Sequence, residues 1–513
     1  MTAAARENLG TAHEGTGGYV GLTNQGATCY LNSLLQTLFM TPEFTREVFR
    51  WRLDPDASAE ERTRSIPHQL QMLFARLLTS ECRAISTVGL TKSFCWDGDQ
   101  VFVQHDVQEL CRLLFDALEE AFAGTADVTR LFRGQLIDFL ACKPPHTHTS
   151  TRSDAFLDLQ VAVRGFGSIR PIASVIEGLR FFLKPESLDG ANQYELAPGQ
   201  KVDAWKGLRL AQLPPLLMVH LKRFEMDYAT MRNVKVNDRV SFSQTLSFAK
   251  KCEQDCAKAS QHAGCAEAWD PVEPEQRAGE CDGPTELVEY ELYSVLVHAG
   301  TATSGHYFAY IKDLSRSSWL KFDDATVSTA SWADVESTFG VSVSSTSMLR
   351  EATGAFGGGG GSLFGTSSTV PPIGLRSTTA YMLTYRRKSS ANSSVSTSTS
   401  NVGGHEAQSD TAATPTEAVD DVVYAPGGTD PLDPRAVEVP EFLKQALEEE
   451  AVRPKYLQLL GMVASLNVAR CCRRQKLLQK LLAWSARVCC QLSSFAVTSC
   501  CSSCSCRCIC RSR

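Results

Sequence analysis

Apolar residues near the start of the chain recur at the spacing of a helix. A short apolar strand from Tyr19 to Leu22 runs into a polar turn, and a helical pattern then begins near Cys29 and stops before Pro42. The residues on its apolar face are Leu31, Leu34, Leu35, Leu38 and Phe39. The pattern therefore predicts a helix that packs into a core, with a cysteine in or next to its first turn.

Helical spacing continues over most of 19–135, and alternating or continuous apolar runs follow from about 131. Asp106 opens the strongest of the helices, whose apolar stripe covers four turns. The later runs are rich in β-forming residues and predict strands. These strands are Leu136 to Ala141, Ala155 to Val163, Leu216 to Phe224, Tyr290 to His298, His306 to Ile311, Trp319 to Phe322 and Ala380 to Tyr385. Helices followed by mostly antiparallel strands predict an α+β architecture.

Shifts in composition divide the chain into five parts. The predicted layout is a flexible leader at 1–18, a folded domain at 19–387, a disordered linker at 388–437, a helical tail at 438–490 and a Cys-rich, low-complexity terminus at 491–513. Two polar stretches, 250–286 and 340–378, interrupt the folded domain and are expected to be loop insertions.

Charge and cysteine placement narrow the functional classes. The net charge of −6 leaves no basic footprint for nucleic acid, and the sequence has no uncharged apolar run long enough to span a membrane. The polar N-terminus lacks the apolar region of a secretory signal. Of the 19 cysteines, nine are scattered and ten crowd into the last 43 residues, so a disulfide framework is not predicted. We expect free thiols and a cytoplasmic or nuclear location, or both.

Cys29 lies where a thiol can become reactive. A helix N-terminus stabilises a thiolate, and the turn before it offers Asn24 and several backbone N–H groups, the components of an oxyanion hole. The alternative is a buried structural cysteine, because free cysteines are among the most buried residues. The polar turn favours a functional role, but this stretch contains no base.

His306 is the best candidate base. It follows the loop from His298 to Gly305, begins a strand, and is followed by a turn and a second strand that ends in Asp323 and Asp324. The hairpin returns these carboxylates towards the start of the His306 strand. A carboxylate there can fix the imidazole tautomer and stabilise the imidazolium, completing the groups that cysteine acyl transfer requires.

These motifs resemble the ubiquitin-specific proteases, papain-like cysteine peptidases that cleave ubiquitin from its conjugates. The resemblance covers about 19–387. The motifs that carry it are Gly21-Leu-Thr-Asn-Gln-Gly-Ala-Thr-Cys29-Tyr-Leu-Asn-Ser, Gln104-His-Asp-Val-Gln-Glu109, Val219-His-Leu-Lys-Arg-Phe224, Gly305-His-Tyr-Phe-Ala-Tyr310 and Trp319-Leu-Lys-Phe-Asp-Asp324. The family fold implies thumb, palm and fingers subdomains within this catalytic domain.

The resemblance also implies residue roles. Cys29 would be the nucleophile, His306 the general base, Asp323 the third member and Asn24 a donor to the oxyanion. Asp324 would assist the oxyanion or a nearby water. Asp106 would bind arginines of the ubiquitin tail. The residues that would line the same channel are Gln108, Glu109, His298 and Tyr307. Loops at about 241–250 and 298–305 would roof it.

The fingers depart from the family pattern. Many relatives hold a structural zinc there with two Cys-x-x-Cys pairs, whereas this chain has Cys142, His146 and His148 in the first position and no sulfur or imidazole in the second, from Tyr194. A closed zinc site needs four ligands. We therefore expect no structural zinc, and no cofactor.

Two cysteine clusters leave alternatives open. The four cysteines in 252–281 are interpreted as solvated free thiols, with a metal site as the alternative. The terminal cluster admits S-acylation beside a basic segment, which would be the only membrane contact, adventitious soft-metal binding, or a low-complexity tail without a selected role, including a misread exon.

Three functional hypotheses follow. The first is an active deubiquitinase whose partners are ubiquitin and ubiquitinated proteins, acting as a monomer without nucleic acid. The second is a catalytically inactive ubiquitin-binding scaffold, which the presence of all three triad residues argues against. The third is a general papain-like protease, which has no need of the Asp106 motif or of the fingers-sized segment at 136–215.

Overall fold

A computed structural model of the 513-residue chain describes residues 18–94, 106–123, 127–165, 170–227, 231–251, 268–273, 286–341, 378–388 and 432–451. The chain separates into two units, Met1–Pro440 and Glu441–Arg513. In the second unit the described residues, 441–451, form a helix. The predicted Cys-rich terminus and most of the predicted leader, linker and helical tail lie outside the described residues.

Helices dominate the described part of the chain up to residue 123. They are α1 Cys29–Phe39, α2 Pro42–Arg50, α3 Ala59–Arg64, α4 Ile66–Thr79, α5 Val88–Ser93 and α6 Val107–Phe122, with α7 Val175–Leu183 and α8 Trp332–Glu336 later. The apolar face predicted for α1 is present, but the polar residues of the helix are buried as well, so that all of Cys29–Phe39 is buried. The reason is that α1 packs against both the helical layer and the sheet, so its polar side chains are enclosed as well.

Strands occupy most of the rest. They are β1 Gly21–Thr23, β2 Ala84–Ser86, β3 Gly134–Cys142, β4 Thr149–Phe156, β5 Asp158–Ala162, β6 Glu186–Leu188, β7 Tyr194–Ala197, β8 Gln200–Val202, β9 Ala204–Gln212, β10 Leu216–Lys222, β11 Phe224–Asp227, β12 Arg232–Lys235, β13 Thr245–Lys251, β14 Ala268–Val272, β15 Leu287–Gly300, β16 Gly305–Asp313, β17 Ser318–Asp323, β18 Thr326–Ala330 and β19 Thr378–Arg387. Short 3₁₀ turns lie at Val128–Leu131, Gly190–Asn192, Ser337–Phe339 and Pro434–Ala436.

The long strand β15 organises the main sheet. It pairs along one edge with β19, and along the other first with β13 and then with β16. The sheet continues from β16 through β17 to β18, and from β13 through β14, β9 and β3 to β4. Most pairings are antiparallel, with β5–β10 and β1–β2 parallel. The predicted α+β architecture is confirmed in this mixture of helices and sheet.

Three details differ from the sequence-based predictions. Within the predicted loop 250–286, residues 268–272 form β14, because their backbone pairs with β13 and three of their five side chains are buried. Most of the expected roof loop at 241–250 is strand β13. A helix, α7, interrupts the predicted strand region and packs on β5, β9 and β14. Residues 252–267 and 274–285, and the 340–378 insertion apart from its ends, lie outside the described residues.

A buried arginine directly after β10 is hydrogen-bonded to three other segments of the chain. Arg223 is 0% exposed, and its guanidinium donates to four backbone carbonyls. Its Nε bonds to Ala380 at 2.6 Å, its Nη1 to Val236 and Asp238 at 3.1 and 2.9 Å, and its Nη2 to Phe339 at 3.3 Å. Burial lowers the pKa of this guanidinium to about 10. The side chain is a structural hub, since buried carbonyls need donors.

Helices within the described ranges include none long and apolar enough to cross a membrane.

Candidate active site

The predicted nucleophile lies at the start of α1, behind a tight turn. Strand β1 leads into this turn. Gly21 lets β1 lie close to Asp324, the residue directly after β17. A Cβ on Gly21 would lie only 2.7 Å from the carbonyl oxygen of Asp324. The amide of the next residue, Leu22, donates to that same oxygen at 2.8 Å. A side chain at position 21 would break this contact, so the glycine is required by packing.

The predicted base and carboxylate meet across the hairpin of β16 and β17. The Nε2 atom of His306 is 2.7 Å from Oδ1 of Asp323. The remaining ring nitrogen, Nδ1, is the one left for the Cys29 sulfur, with which His306 also forms a hydrogen bond. The backbone N–H of Tyr307 donates to the same sulfur at 3.4 Å. The structure therefore brings Cys29, His306 and Asp323 together, with the imidazole hydrogen-bonded to both partners.

The hydrogen bonds among these three residues favour the protonated form of His306. Its hydrogen bond to Asp323, followed by that to Cys29, raises the pKa of His306 from 6.5 to about 10. The hydrogen bond from His306, aided by Lys321, lowers the pKa of Asp323 to about 2. Lys321 Nζ bonds to the other carboxylate oxygen at 2.7 Å. At neutral pH the hairpin thus carries an imidazolium held by a carboxylate.

Asn24 and Asp324 also lie together. The Asn24 amide nitrogen donates to Oδ2 of Asp324 at 2.9 Å. Its amide oxygen accepts the backbone N–H groups of Gly26 and Thr28 at 2.8 and 3.2 Å. The amide is consequently oriented from both ends, with its NH₂ group turned towards the hairpin.

Asp106 has two partners of its own chain. One carboxylate oxygen caps α6 by accepting the backbone N–H of Gln108 at 2.7 Å, and the other accepts the hydroxyl of Tyr381 at 2.7 Å. The Gln108 amide is hydrogen-bonded to Asp158. Glu109, one residue on, is exposed. The three predicted tail-binding residues therefore share the start of α6, but only Glu109 points fully to solvent.

His298 and Tyr307 are buried, although the resemblance places them in a substrate channel. They are 2% and 4% exposed, and their rings lie 4.6 Å apart on adjacent strands. Burial, with help from Lys235, lowers the pKa of His298 to about 3. A Cβ on Gly305 would lie 2.1 Å from His298 Nε2, so the loop is tightly closed on the ring. In this conformation the two side chains are covered.

Sequence reasoning missed several buried polar residues beside the site. Tyr381 bonds Asp106, and the ring of His220 contacts that of Tyr381 edge-on with centroids 4.6 Å apart. Asn32 donates to the second oxygen of Asp324 at 2.8 Å. The sequence did carry a signal for Asn32, because a residue three positions after Cys29 lies on the same helical face. Tyr381 and His220 gave no signal beyond their strand patterns.

Among the described residues, one group of side chains is close enough together to hold a metal ion, and it lies on the hairpin. His306, Asp323 and Asp324 offer ligand atoms within 4.8 Å of one another. All three are already engaged in the hydrogen bonds above. Cys142, His146 and His148 do not form such a group among the described residues.

A thiol at a helix start, aligned with an imidazole and a carboxylate on the facing sheet, defines a papain-like α+β cysteine peptidase. The sequence model for "Ubiquitin carboxyl-terminal hydrolase" matches residues 20–385. The chain therefore belongs to the ubiquitin carboxyl-terminal hydrolase family, in agreement with the resemblance drawn from its motifs.

Individual relatives agree with the family model. The chain is 39% identical over 419 residues to Ubiquitin carboxyl-terminal hydrolase 47 of Drosophila melanogaster, covering 73% of this chain and 25% of the fly protein. It is 39% identical over 406 residues to the human protein of the same name, covering 73% and 28%. It is 36% identical over 317 residues to Ubiquitin C-terminal hydrolase 13 of Arabidopsis thaliana, covering 60% and 25%. The chain thus spans about a quarter of the length of these relatives.

Proposed function

We propose that the protein is a deubiquitinating cysteine protease that hydrolyses the peptide or isopeptide bond after the C-terminal glycine of ubiquitin. The observation that carries the proposal is the alignment of Cys29, His306 and Asp323 in a chain of this family. The proteolytic partners are then ubiquitin and ubiquitinated proteins.

The first half-reaction forms a thioester. The Cys29 sulfur attacks the carbonyl carbon of the terminal glycine, and the carbonyl π electrons move to oxygen. His306, as imidazolium, gives its proton to the leaving lysine amine when the C–N bond breaks. Asp323 keeps the ring aligned and stabilises its positive charge, and Lys321 holds Asp323 in turn.

The second half-reaction restores the enzyme. Neutral His306 removes a proton from water, the resulting hydroxide attacks the thioester carbon, and the C–S bond breaks. The sulfur leaves as the thiolate beside the imidazolium, and ubiquitin leaves with a free carboxylate. The Tyr307 N–H, already 3.4 Å from the sulfur, can stabilise negative charge there in both halves.

Asn24 is the proposed oxyanion donor. Its NH₂ group has two hydrogens and Asp324 takes one, so the second is available to the oxygen that becomes negative in each tetrahedral intermediate. A donor that meets charge only as it develops lowers the barrier without tightening ground-state binding.

The start of α6 is proposed to bind the arginines of the ubiquitin tail. That the tail carries arginines is taken from the family resemblance. A carboxylate has about four lone-pair positions. Asp106 uses one for the cap and one for Tyr381, and retains capacity for a guanidinium. Glu109 adds an exposed charge one residue further on, and Gln108 is held nearby by Asp158.

Substrate access would require the closed loop to move. His298 and Tyr307 are proposed to line the channel once residues 301–304, which connect β15 to β16, shift away from them. Because Gly305 packs closely on His298, opening the channel would also displace the start of β16.

The domain is proposed to divide into a thumb of α1–α6, a palm around β15, and fingers built from β3, β4 and β6–β9. The fingertip would need no zinc. The ring of His148 stacks on Tyr194 with centroids 6.2 Å apart, and Lys143 Nζ lies 4.3 Å from the centre of the Trp205 ring. These contacts support a fingertip that is held together without a metal. Stoichiometric zinc in the purified protein, measured by elemental analysis, would contradict the proposal of a zinc-free fingertip.

The proposed setting is cytoplasmic or nuclear and monomeric, without nucleic acid. The net charge of −6 supports the absence of a nucleic-acid partner. Light scattering that gives a dimer mass, or labelling of the intact protein by a palmitate analogue, would revise the oligomeric state and the membrane assignment respectively.

One probe tests the function. Ubiquitin with a C-terminal electrophile should label the wild-type protein and Cys82→Ala, which removes an exposed thiol, but not Cys29→Ala. Binding of ubiquitin without labelling would favour the inactive scaffold. Labelling by generic cysteine-protease probes alone would favour a general protease, and labelling by a ubiquitin-like modifier alone would change the substrate.

A further inference from the structure

A buried amide in α1 reaches the catalytic hairpin. Asn32 is 2% exposed and lies one helical turn after Cys29. Its side-chain nitrogen donates to Oδ1 of Asp324 at 2.8 Å and to the carbonyl oxygen of Leu22 at 3.3 Å. Because both partners accept only, they fix which end of the amide faces them. Its side-chain oxygen, buried as well, has no hydrogen-bond partner among the described residues.

Asp324 therefore joins two amides. Oδ1 accepts from Asn32 and Oδ2 from Asn24, and each carboxylate oxygen is used. The residue itself is in the left-handed region with φ of 49°, and its carbonyl oxygen is held by the N–H of Leu22. Backbone strain of this kind persists only where the surroundings hold the residue in place.

We propose that Asn32 is a positioning residue, which acts through Asp324 to hold the NH₂ group of Asn24 towards the oxyanion. This rests on the proposed function and assigns a role to a residue outside the triad. Without the Asn32 donor, Asp324 can rotate and accept elsewhere, and the Asn24 amide loses the contact that specifies nitrogen rather than oxygen. Asn32 touches no substrate atom.

The signature is kinetic. Removal of an oxyanion donor costs about 10²–10³ in kcat, so loss of its orientation by Asn32→Leu is expected to lower kcat about ten- to a hundredfold. KM should change by less than about twofold, because the interaction forms only in the transition state. Alkylation of Cys29 by iodoacetamide forms no oxyanion, and its rate should be unchanged.

A matched control lies one turn further along α1. Gln36 is also 2% exposed and donates from its amide to the carbonyl oxygen of Val20 at 2.8 Å. Among the described residues no hydrogen bond of its side chain reaches Asp324. Gln36→Leu removes a comparable buried amide and helix tether, so it reports any loss due to packing alone. Asn32→Ser, a smaller polar change, serves if the leucine variant melts far below wild type.

The decisive measurement is a double-mutant cycle with Asn24→Ala, using ubiquitin with a fluorogenic C-terminal amide. If Asn32 acts through Asn24, Asn32→Leu should cost less than about twofold in the Asn24→Ala background. Multiplied losses, a slower alkylation of Cys29, or an equal fall in kcat for Gln36→Leu would each refute the positioning role while leaving the proposed function intact. Absence of turnover by the wild-type protein would instead refute the function, and the inference with it.

Discussion

The contact between Asp323 and His306 predicts how activity depends on pH. Asp323→Asn keeps an oxygen that can accept the Nε2 hydrogen, but removes the negative charge. In the intact site the pKa of His306 is about 10, with Asp323 as the largest cause. The substitution should lower this pKa, so the acid that protonates the leaving amine is lost at lower pH.

The expected size follows from exposure. The side chains of His306 and Asp323 are 41% and 32% exposed, so water screens the pair. We therefore expect the pKa to fall by about one to two pH units, and not all the way to 6.5. At pH 7 the ring of His306 in Asp323→Asn stays protonated, so the expected loss in kcat/KM of about tenfold comes from the weaker hold of a neutral amide on the ring. The loss should be about 10²–10³ for Asp323→Ala, which also frees the ring.

The assay is kcat/KM for fluorogenic ubiquitin between pH 6 and 10, with stability followed by thermal melting. The alkaline limb should move towards neutral pH in Asp323→Asn. An unmoved limb would refute the assigned role of the carboxylate. The pair also sets stability: the raised pKa of His306 gives a contribution present in full below about pH 6.5 and lost as pH rises through about 10. The lowered pKa of Asp323 gives one lost as pH falls from about 3.8 towards 2.

Three further substitutions test packing around the site. Gly305→Ala would put a methyl group 2.1 Å from His298 Nε2; it should lower stability by about 1–3 kcal/mol in urea denaturation and reduce kcat/KM about tenfold. Arg223→Met would leave buried carbonyls without donors; it should lower the free energy of unfolding by about 3–5 kcal/mol, measured by urea denaturation. Gly21→Ala would push β1 away from the Asp324 carbonyl; it should reduce kcat about 10²-fold in the same ubiquitin assay.

Neighbouring exposed residues supply controls. Ser304→Ala changes the exposed side of the same loop as Gly305, and Arg232→Met removes an exposed guanidinium. Both should remain within about 0.5 kcal/mol of wild type. Equal losses in a control and its partner variant would show that the contacts named above are not the cause, and full activity of Gly21→Ala would contradict the close approach of β1.

The parts of the site that were predictable are those in which local pattern and chemistry coincide. The α1 helix, the β16–β17 hairpin and the meeting of His306 with Asp323 follow from apolar spacing and from a short turn. Such features need only a few neighbouring residues, and α6 with its Asp106 cap belongs to the same class.

What could not be predicted depends on distant partners. The polar residues of α1 gave no sign that they would be enclosed, because burial of Asn32 is decided by a hairpin almost 300 residues away. Likewise, β14 has too short an apolar pattern to be distinguished from loop until β13 pairs with it. The covered state of His298 depends on Gly305 closing against it, which is a matter of loop conformation.

The pairing of β15 with β19 has a consequence for how this domain can change. The two strands stay paired from Tyr290–Arg387 to Ala299–Thr378, with two register shifts, although 342–377 separate β19 from the preceding described segment. The entropic cost of closing a loop rises only by about 0.6 kcal/mol for each doubling of its length. Sequence can therefore be gained or lost in that connection at little cost, while the atoms around Cys29 keep their positions.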